Sequence, residues 1–504
     1  MSGAPARPAP RSPEPPPPDA ATFFQAAAAD EGLARPALER LAAHWRPGHA
    51  AALLDLARFM RAPGSPTEAP PEIFPGRPFA EEGEGSLGPT GSPRPGPRPA
   101  PGPVPRLDDP SARVRERLVR FLEKRTGRRF GHDLRAWRRW LWGLAYDPPP
   151  DYPAFKAVLY GAVDPKMAEF FRPGPPPLVR LDEVDWGGVT VNGIPPLDHP
   201  WVVPAGEARY LGERDVVFGV FLGGEARAYP KRILAWHELA RDRLGGVELA
   251  VVYCTLCGTV VPYGAEAGGA RRKFGTSGLL YRSNKLMFDE ETMSLWSSVE
   301  GRPVIGPLAG SGLELVAHPV VTTTWREWRR AHPETTVLAL ETGFRRDYSE
   351  GAAYRDYFAT DRLMFEVPRP DPRLRNKDEV LALLVEPAGG GAPRPLALAA
   401  RWLRERPVLG MSFAGRRLVV LTSPDGANRV YDAEGVAFRE SRAGERLVDE
   451  DGRAWTLTEE ALVSGDGRRL LRVAARRAFW FGWHAQHPGT ELLDARRPEP
   501  LQAQ

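Results

Sequence analysis

The sequence predicts an α+β protein: an α-helical N-terminal region precedes two divergent β-rich repeat units, each ending in a Trp-bearing helix. Three observations predict it. Up to about residue 177, apolar residues recur at helical spacing. From Leu178 onward, short β-branched runs alternate with Gly, Pro and Asn turns. A third observation is that one spacing pattern of Trp, His, Pro, Thr and Leu occurs twice in the C-terminal part.

The chain has 504 residues, enough for two to four domains. Composition changes along it suggest the following division: a disordered Pro-rich tail (1–20), a helical pair (21–61), a Pro/Gly-rich linker (62–106), a basic helical region (107–177), a first β-rich unit with the cysteines (178–345), a connector (346–374) and a second β-rich unit without them (375–495).

The charge and hydropathy of the chain exclude few classes of protein. The net charge of +4 is mildly basic, and the arginines of the basic helical region surround a Trp and Leu stripe that includes Trp137 and Leu141. Such runs are usually solvated helix faces, so nucleic-acid binding is disfavoured. There is no apolar run of about 18 residues and no secretory h-region, so we expect no membrane span and, by default, a cytoplasmic location.

The two cysteines of the chain, Cys254 and Cys257, are separated by two residues. A buried-strand pattern precedes them, Gly258 permits a turn, and a second strand pattern follows. A strand–turn–strand presents two thiolates on one side, as in metal-binding knuckles for zinc or copper. Two alternatives remain: a thiol/disulfide redox pair, or two buried structural cysteines.

A predicted helix, roughly Lys231 to Asp242, directly precedes the cysteine strand and carries His237 and Glu238. Zinc usually takes more than two protein ligands. We therefore expect Cys254, Cys257 and His237 to form the metal site, with Glu238 lining its pocket.

The polar segment 274–289 follows the cysteines and is expected to line the same pocket with Ser277, Tyr281, Asn284, Lys285 and Asp289. Ser277 lacks the Gly-x-Ser-x-Gly context of a nucleophile elbow. The alternative is a hairpin whose polar side chains make only turn hydrogen bonds, and this alternative remains open.

The repeated pattern lies at the end of each β-rich unit. Trp325, Trp328, His332, Pro333, Thr335 and Leu338 recur at identical spacing as Trp480, Trp483, His487, Pro488, Thr490 and Leu493. Upstream, Cys254 and Cys257 align with Thr422 and Asp425. Because the second copy keeps the frame without the cysteines, they are not needed to build the unit and are expected to have a function.

Four motifs together resemble the bacterial and archaeal family named domain of unknown function 3179 (DUF3179), over roughly residues 178–495. They are RAYPKRILAWHE (227–238), YCTLCGT (253–259), GTSGLLYRSNK (275–285) and SLWS (294–297). The resemblance implies no defined activity, so whether the protein is an enzyme stays undecided. Members of this family often look exported, unlike the start of this chain. Partners are not indicated, and a binding or scaffold protein with inert cysteines is a third functional class.

Overall fold

The computed structural model describes residues 16–60, 110–145, 148–149, 151–439 and 447–497. It is α+β, with a helical N-terminal region and a β-rich C-terminal region, as predicted. The chain divides into two compact units, with the boundary between Leu159 and Tyr160. The predicted linker 62–106 lies outside the described residues, as does the predicted tail up to residue 15.

The first unit is helical. Its helices are α1 (Ala20–Ala26), α2 (Glu31–Ala43), α3 (His49–Arg58), α4 (Pro110–Thr126), α5 (Leu134–Trp142) and α6 (Tyr152–Gly161), the last of which continues into the second unit. Three helices occupy the segment where a helical pair was expected. The Asp30 carboxylate accepts a hydrogen bond from the Gly32 amide at 2.7 Å, which caps a new helix after Ala26.

Arginines of the basic helical region bond the ends of other helices in this unit. The guanidinium of Arg115 donates to the carbonyl oxygens of Met60 and His132, each at 2.9 Å. Arg117 donates to the Ala28 carbonyl and Arg125 to the Ala42 carbonyl. The carbonyls of Met60, Ala28 and Ala42 lie at or just beyond helix C-termini, where no intrahelical donor remains. Several of the arginines are therefore inter-helix contacts rather than solvated charges.

The second unit contains the β-rich region. Its first half consists of α7 (Pro165–Glu169), β1 (Val184–Trp186), β2 (Leu197–Asp198), β3 (Val202–Pro204), β4 (Val216–Leu222), β5 (Glu225–Pro230), α8 (Lys231–His237), β6 (Leu239–Leu244), β7 (Val247–Cys254), β8 (Thr259–Gly264), β9 (Glu266–Ala267), β10 (Ala270–Arg271), β11 (Phe274–Tyr281), β12 (Asn284–Asp289), β13 (Leu295–Ser297), β14 (Pro303–Ile305), β15 (Val321–Thr324), α9 (Trp325–Ala331) and β16 (Thr336–Leu338).

The connector and the second half complete this unit. They consist of α10 (Arg355–Phe358), β17 (Glu379–Val385), β18 (Arg394–Ala399), α11 (Ala400–Leu403), β19 (Val408–Phe413), β20 (Arg416–Thr422), β21 (Asn428–Asp432), β22 (Leu447–Val448), β23 (Ala454–Leu457), β24 (Ala461–Ser464), β25 (Arg469–Val473), β26 (Arg476–Phe479), α12 (Trp480–Gln486) and β27 (Glu491–Leu493).

Both halves mix parallel and antiparallel strand pairing. In the first half, the strand order β15-β4-β5-β16-β3 contains the parallel pair β5–β16, and the separate sheet β2-β6-β7-β8 contains the parallel pair β2–β6. A third sheet has the order β1-β11-β12-β13-β14. In the second half, β26-β17-β18-β27 contains the parallel pair β18–β27, beside the sheet β19-β20-β21-β25-β24-β23-β22.

The helices α9 and α12 bury their tryptophans in the same manner. The indole N–H of Trp328 donates to Thr335 Oγ1, and that of Trp483 donates to Thr490 Oγ1, both at 2.9 Å. Buried indole N–H groups need such an acceptor. Within the described ranges, no helix is long and apolar enough to cross a membrane.

The predicted helix over Lys231–Asp242 is shorter than expected. It ends at His237, because Glu238 has a left-handed backbone with φ 57°. The chain then continues as β6, which pairs with β7 so that Leu239 lies opposite Val252. This pairing places the end of the helix beside the strand that carries Cys254.

Candidate functional site at the Cys-x-x-Cys turn

The cysteines lie on the turn between two antiparallel strands. β7 ends at Cys254 and β8 begins at Thr259. The Cys257 amide donates to the Cys254 carbonyl at 3.1 Å, and Gly258 has φ 61°. A residue with a side chain would be strained at this φ, so the glycine permits the turn. The strand–turn–strand predicted from the sequence is present.

The two sulfurs do not form the expected metal knuckle. Cys254 and Cys257 are joined in a disulfide and are 3% and 0% exposed. Metal ligation requires two separate thiolates, which a disulfide does not offer. In the part of the chain that the structure describes, no three His, Cys, Asp or Glu side chains group as a metal site. The described residues thus show a disulfide and no metal site, and the metal interpretation stays a prediction.

His237 is held by partners other than the cysteines. Its Nδ1 lies 2.8 Å from the Pro195 carbonyl oxygen, and its Nε2 lies 2.5 Å from the Tyr348 hydroxyl. Because a carbonyl only accepts, Nδ1 carries the proton and Nε2 accepts from the tyrosine. Burial lowers the pKa of His237 to about 4, so the ring is neutral. In this arrangement neither nitrogen is available to a metal.

Glu238, the next residue, lies beside the cysteine strand instead. Its carbonyl accepts from the Tyr253 amide at 2.8 Å. The ammonium of Lys285, on β12, donates to that carbonyl at 3.1 Å and lies 3.3 Å from the Glu238 carboxylate. The hydroxyl of Tyr354 donates to the same carboxylate at 3.1 Å. A buried charge pair with a tyrosine thus adjoins the cysteine turn.

Burial alters the proton affinities of this group. Lys285 is 4% exposed and Glu238 is 7% exposed. Burial lowers the pKa of the Lys285 ammonium, while the Glu238 carboxylate opposes that change. Burial and then the negative charge of Glu238 raise the pKa of Tyr354 well above its usual value. Both effects follow from the low dielectric around the pair.

A narrow cavity connects these residues to the cysteine turn. Its volume is about 30 Å³, and its lining includes Glu238, Lys285, Tyr354 and Leu256, the residue between Thr255 and Cys257. Drug-sized ligands occupy roughly 300–1,000 Å³. The cavity therefore admits water-sized groups and no larger ligand in this conformation.

The other predicted lining residues bond within the β11–β12 hairpin or link it to β13 and α12. Ser277 Oγ donates to the Leu286 carbonyl at 2.6 Å. The Asp289 carboxylate accepts from the Trp296 indole at 2.8 Å. Asn284 Nδ2 donates to the Gly482 carbonyl at 3.1 Å. The Arg282 guanidinium lies over the Tyr281 ring, 5.0 Å from the centre of that ring. Of the six residues, only Glu238 and Lys285 border the cavity.

The sequence analysis did not predict that residues of the connector contact the cysteine turn. The Tyr357 hydroxyl donates to the Leu256 carbonyl at 2.8 Å, and Phe365 packs in the same apolar cluster as both cysteines. The clustering of aromatic residues between 344 and 358 was the available signal, but sequence alone does not say which surface they cover. Helix α12 was predicted, but its contact with the cysteine turn was not: the amide of Phe479, its N-cap residue, donates to the Cys257 carbonyl at 2.7 Å.

Fold and site together define an α+β protein whose β-rich part carries a buried Cys-x-x-Cys disulfide. The model of the family described as "protein of unknown function (DUF3179)" matches residues 191–490, more than half of the chain. The chain therefore belongs to the DUF3179 family, as its motifs indicated. No curated protein and no solved structure matches the chain.

Proposed function

We propose that Cys254 and Cys257 form a reversible dithiol/disulfide couple. The cavity lined by Glu238, Lys285 and Tyr354 is part of the same redox site. The observation that carries this proposal is the disulfide itself, buried beside a paired lysine and glutamate. A buried ion pair is weak support for stability, because desolvation opposes the attraction. Its place beside a disulfide therefore favours a chemical role.

The length of the closed loop argues against a purely structural bond. Chain-entropy estimates give about 2 kcal/mol of stabilisation for a four-residue loop, against about 5 kcal/mol for a loop of 100 residues. Cys254 and Cys257 are three positions apart. Such a bond constrains the unfolded chain little, so stabilisation is a weak reason for its presence.

The reaction is an exchange with an external dithiol. A thiolate of that reductant attacks Sγ of Cys254, the more exposed of the two residues. The protein S–S bond breaks, a mixed disulfide forms, and Cys257 leaves as a thiolate and takes a proton. The second thiol of the reductant then displaces Cys254, so two electrons and two protons reach the protein. Cys257 Sγ lies 3.4 Å from the Ser283 carbonyl, an acceptor for its thiol.

Backbone strain also points to this site. Glu238 and Tyr354 have φ of 57° and 55°, and their side chains meet. Left-handed backbone in a residue with a side chain costs about 1–3 kcal/mol, and such residues cluster at functional sites. Tyr354 belongs to the connector, whose displacement would open Cys254 to a reductant.

Redox titration tests the proposal. The full chain is equilibrated in dithiothreitol buffers of graded potential, and the free thiols are alkylated and counted by mass spectrometry. We expect a reversible two-electron transition above about −300 mV, the range typical of labile rather than structural disulfides. Cys254→Ser and Cys257→Ser should each abolish it. A bond that yields only after denaturation would exclude the redox role.

The reduced protein also tests the metal interpretation. Only after reduction do two thiolates become available, and zinc or Cu(I) would be the suitable ions. Stoichiometric metal retained by the reduced chain, and lost in Cys254→Ser, would replace the redox proposal with a metal site. In that case His237 would first have to release Tyr348 or Pro195.

We further infer that the two β-rich halves are divergent copies of one unit. The matching strand orders β15-β4-β5-β16 and β26-β17-β18-β27 support this inference, as do the equivalent Trp–Thr hydrogen bonds. An experimental structure tests it. The two sheets should superpose with Trp328 on Trp483, and a misfit of the two helices would count against duplication.

Reciprocal contacts between the halves give the same inference a second basis. The N-cap residue of α12, Phe479, bonds Cys257, and the N-cap residue of α9, Thr324, bonds Asp425 at 2.6 Å. Asp425 is the residue that aligns with Cys257. Each turn is thus covered by the Trp-bearing helix of the other half, and only the first turn keeps the cysteines.

A further inference from the structure

We propose that a second cleft, separate from the cysteine cavity, binds a small molecule carrying a carboxylate or phosphate group, with Arg272 as its anchor. We call it the Arg272 cleft. It lies between the hairpin of β6 and β7 and the beginning of β11, and Arg241, Glu248, Arg272 and Phe274 are among its lining residues.

The Arg272 cleft is large enough for an organic ligand. Its volume is about 310 Å³, at the lower end of the 300–1,000 Å³ typical of small-molecule sites. Two sheets form its walls. The Arg241 guanidinium crosses from β6 to the Phe274 carbonyl at 3.2 Å, and the Arg272 amide donates to the Ala265 carbonyl at 2.8 Å. These hydrogen bonds hold the walls of the cleft in place.

Four basic side chains line the cleft, and three of them have a close carboxylate. Arg241 lies 3.1 Å from Asp198, and Arg271 lies 2.8 Å from Glu248. Lys273 lies 3.2 Å from Glu290. These are ordinary ion-pair distances, so the charges of the three cations are largely compensated within the protein.

Arg272 differs from these three cations. Its nearest carboxylate, that of Asp289, is 3.6 Å away, and among the described residues its buried Nε has no hydrogen-bond partner. Asp289 already accepts from the Thr292 amide at 2.7 Å, from the Thr292 hydroxyl at 2.8 Å and from the Trp296 indole at 2.8 Å. A guanidinium with unused donors binds carboxylate or phosphate in a bidentate manner.

His199 adds a strained residue to the lining of the cleft. Its φ is 45° and its side chain is 58% exposed, while its amide donates to the Arg241 carbonyl at 2.8 Å. Positive φ in a residue with a side chain is uncommon, and such strain concentrates at ligand sites. His199 thus offers a hydrogen-bonding group to the body of a ligand that Arg272 anchors.

Calorimetric titration of the full chain tests this proposal with inorganic phosphate, succinate and glycerol. We expect heat of binding from at least one of the two anions and none from glycerol. A response to phosphate alone identifies a phosphate compound as the ligand class, and a response to succinate alone identifies a carboxylate. Arg272→Gln should weaken binding at least tenfold, since it removes a charged, forked donor.

The matched control is Arg271→Gln, the neighbouring arginine that Glu248 already compensates; it should change affinity less than threefold. Arg272→Lys keeps the charge but loses the fork, and we expect an intermediate affinity. It replaces Arg272→Gln if that variant fails to fold. The proposal is overturned if neither anion binds at 10 mM, or if the Arg271 and Arg272 variants weaken binding equally.

Discussion

At the residue scale, the buried Lys285–Glu238 pair beside the cysteine turn should affect the stability of the protein. Removing one member of a buried pair leaves an uncompensated charge, which costs about 3–5 kcal/mol. Lys285→Met should therefore lower the free energy of unfolding by about that amount, measured in urea by tryptophan fluorescence. The double variant Glu238→Gln/Lys285→Met should lose less than the sum of the two single losses.

An exposed ion pair provides the control. Arg329 and Glu213 lie 2.8 Å apart, with side chains 44% and 59% exposed. Surface pairs contribute about 0–1 kcal/mol, so Arg329→Met should be nearly neutral. Additive losses in the Lys285 and Glu238 variants would show that the two groups do not interact, contrary to the proposed site.

His237 makes stability depend on pH. Its pKa is about 4 in the folded protein, below the ordinary 6.5, so the unfolded chain binds more protons between those values. The free energy of unfolding should fall as pH drops from about 6.5 to about 4 and level off below. The share of this residue is about 3 kcal/mol. Urea midpoints at pH 7 and pH 4.5 should differ less in His237→Asn than in the unaltered chain.

His487 provides a comparison within the same urea measurements. Burial lowers the pKa of His487 to about 4 as well, so the unaltered chain and His237→Asn should both retain a residual acid sensitivity. If His237→Asn shows the same pH dependence as the unaltered chain, the histidine is not held neutral by burial.

At the element scale, helix α12 approaches the cysteine turn through a glycine. A Cβ added at Gly482 would lie 2.9 Å from Cys257 Cβ, closer than carbon atoms pack. Gly482→Ala should therefore displace the helix or the turn and destabilise the protein by about 1–3 kcal/mol. It should also make dithiothreitol reduce the Cys254–Cys257 disulfide faster, measured by alkylating and counting the released thiols over time.

Gly489→Ala is the matched control, because nothing lies within 4 Å of its added Cβ. It should change neither the free energy of unfolding nor the rate of disulfide reduction beyond error. If Gly482→Ala were equally silent, α12 would not hold the turn, and the contact between Phe479 and Cys257 would have no bearing on access to the disulfide.

At the scale of the whole β-rich region, hydrogen bonds link the N-cap residue of each Trp-bearing helix to a turn of the other half. Separating residues 160–345 from 346–504 removes the bonds from Phe479 to Cys257 and from Thr324 to Asp425. Buried polar groups without partners cost about 1–3 kcal/mol each. Neither fragment alone should show native near-ultraviolet dichroism, whereas mixing them should restore it.

A variant at the interface sharpens this test. Asp425 also pairs with the Arg326 guanidinium at 2.5 Å, so Asp425→Ala should weaken reassociation of the fragments. Cooperative unfolding and a native spectrum for residues 160–345 alone would contradict the prediction. The halves would then be independent domains, and the reciprocal contacts would be incidental to their stability.

The sequence by itself determined the local features of this protein. Helical periodicity before residue 178 and short β-branched runs after it predicted the α+β class, because both patterns reflect burial of one face of a local element. Gly258 between two strand patterns predicted the turn of the cysteines, since a positive φ is a local requirement. Four short motifs sufficed to indicate the family.

Only the tertiary structure decided what surrounds those features. The helix of His237 stops early because Leu239 pairs with Val252, a contact that helical spacing does not reveal. Lys285 meets Glu238 across 47 positions because β12 and the end of α8 come together in the fold. The state of the two sulfurs, and the unused donors of Arg272, depend on which partners each side chain reaches. Packing of the tertiary structure determines which residues distant in sequence come into contact. Local sequence patterns do not encode that packing.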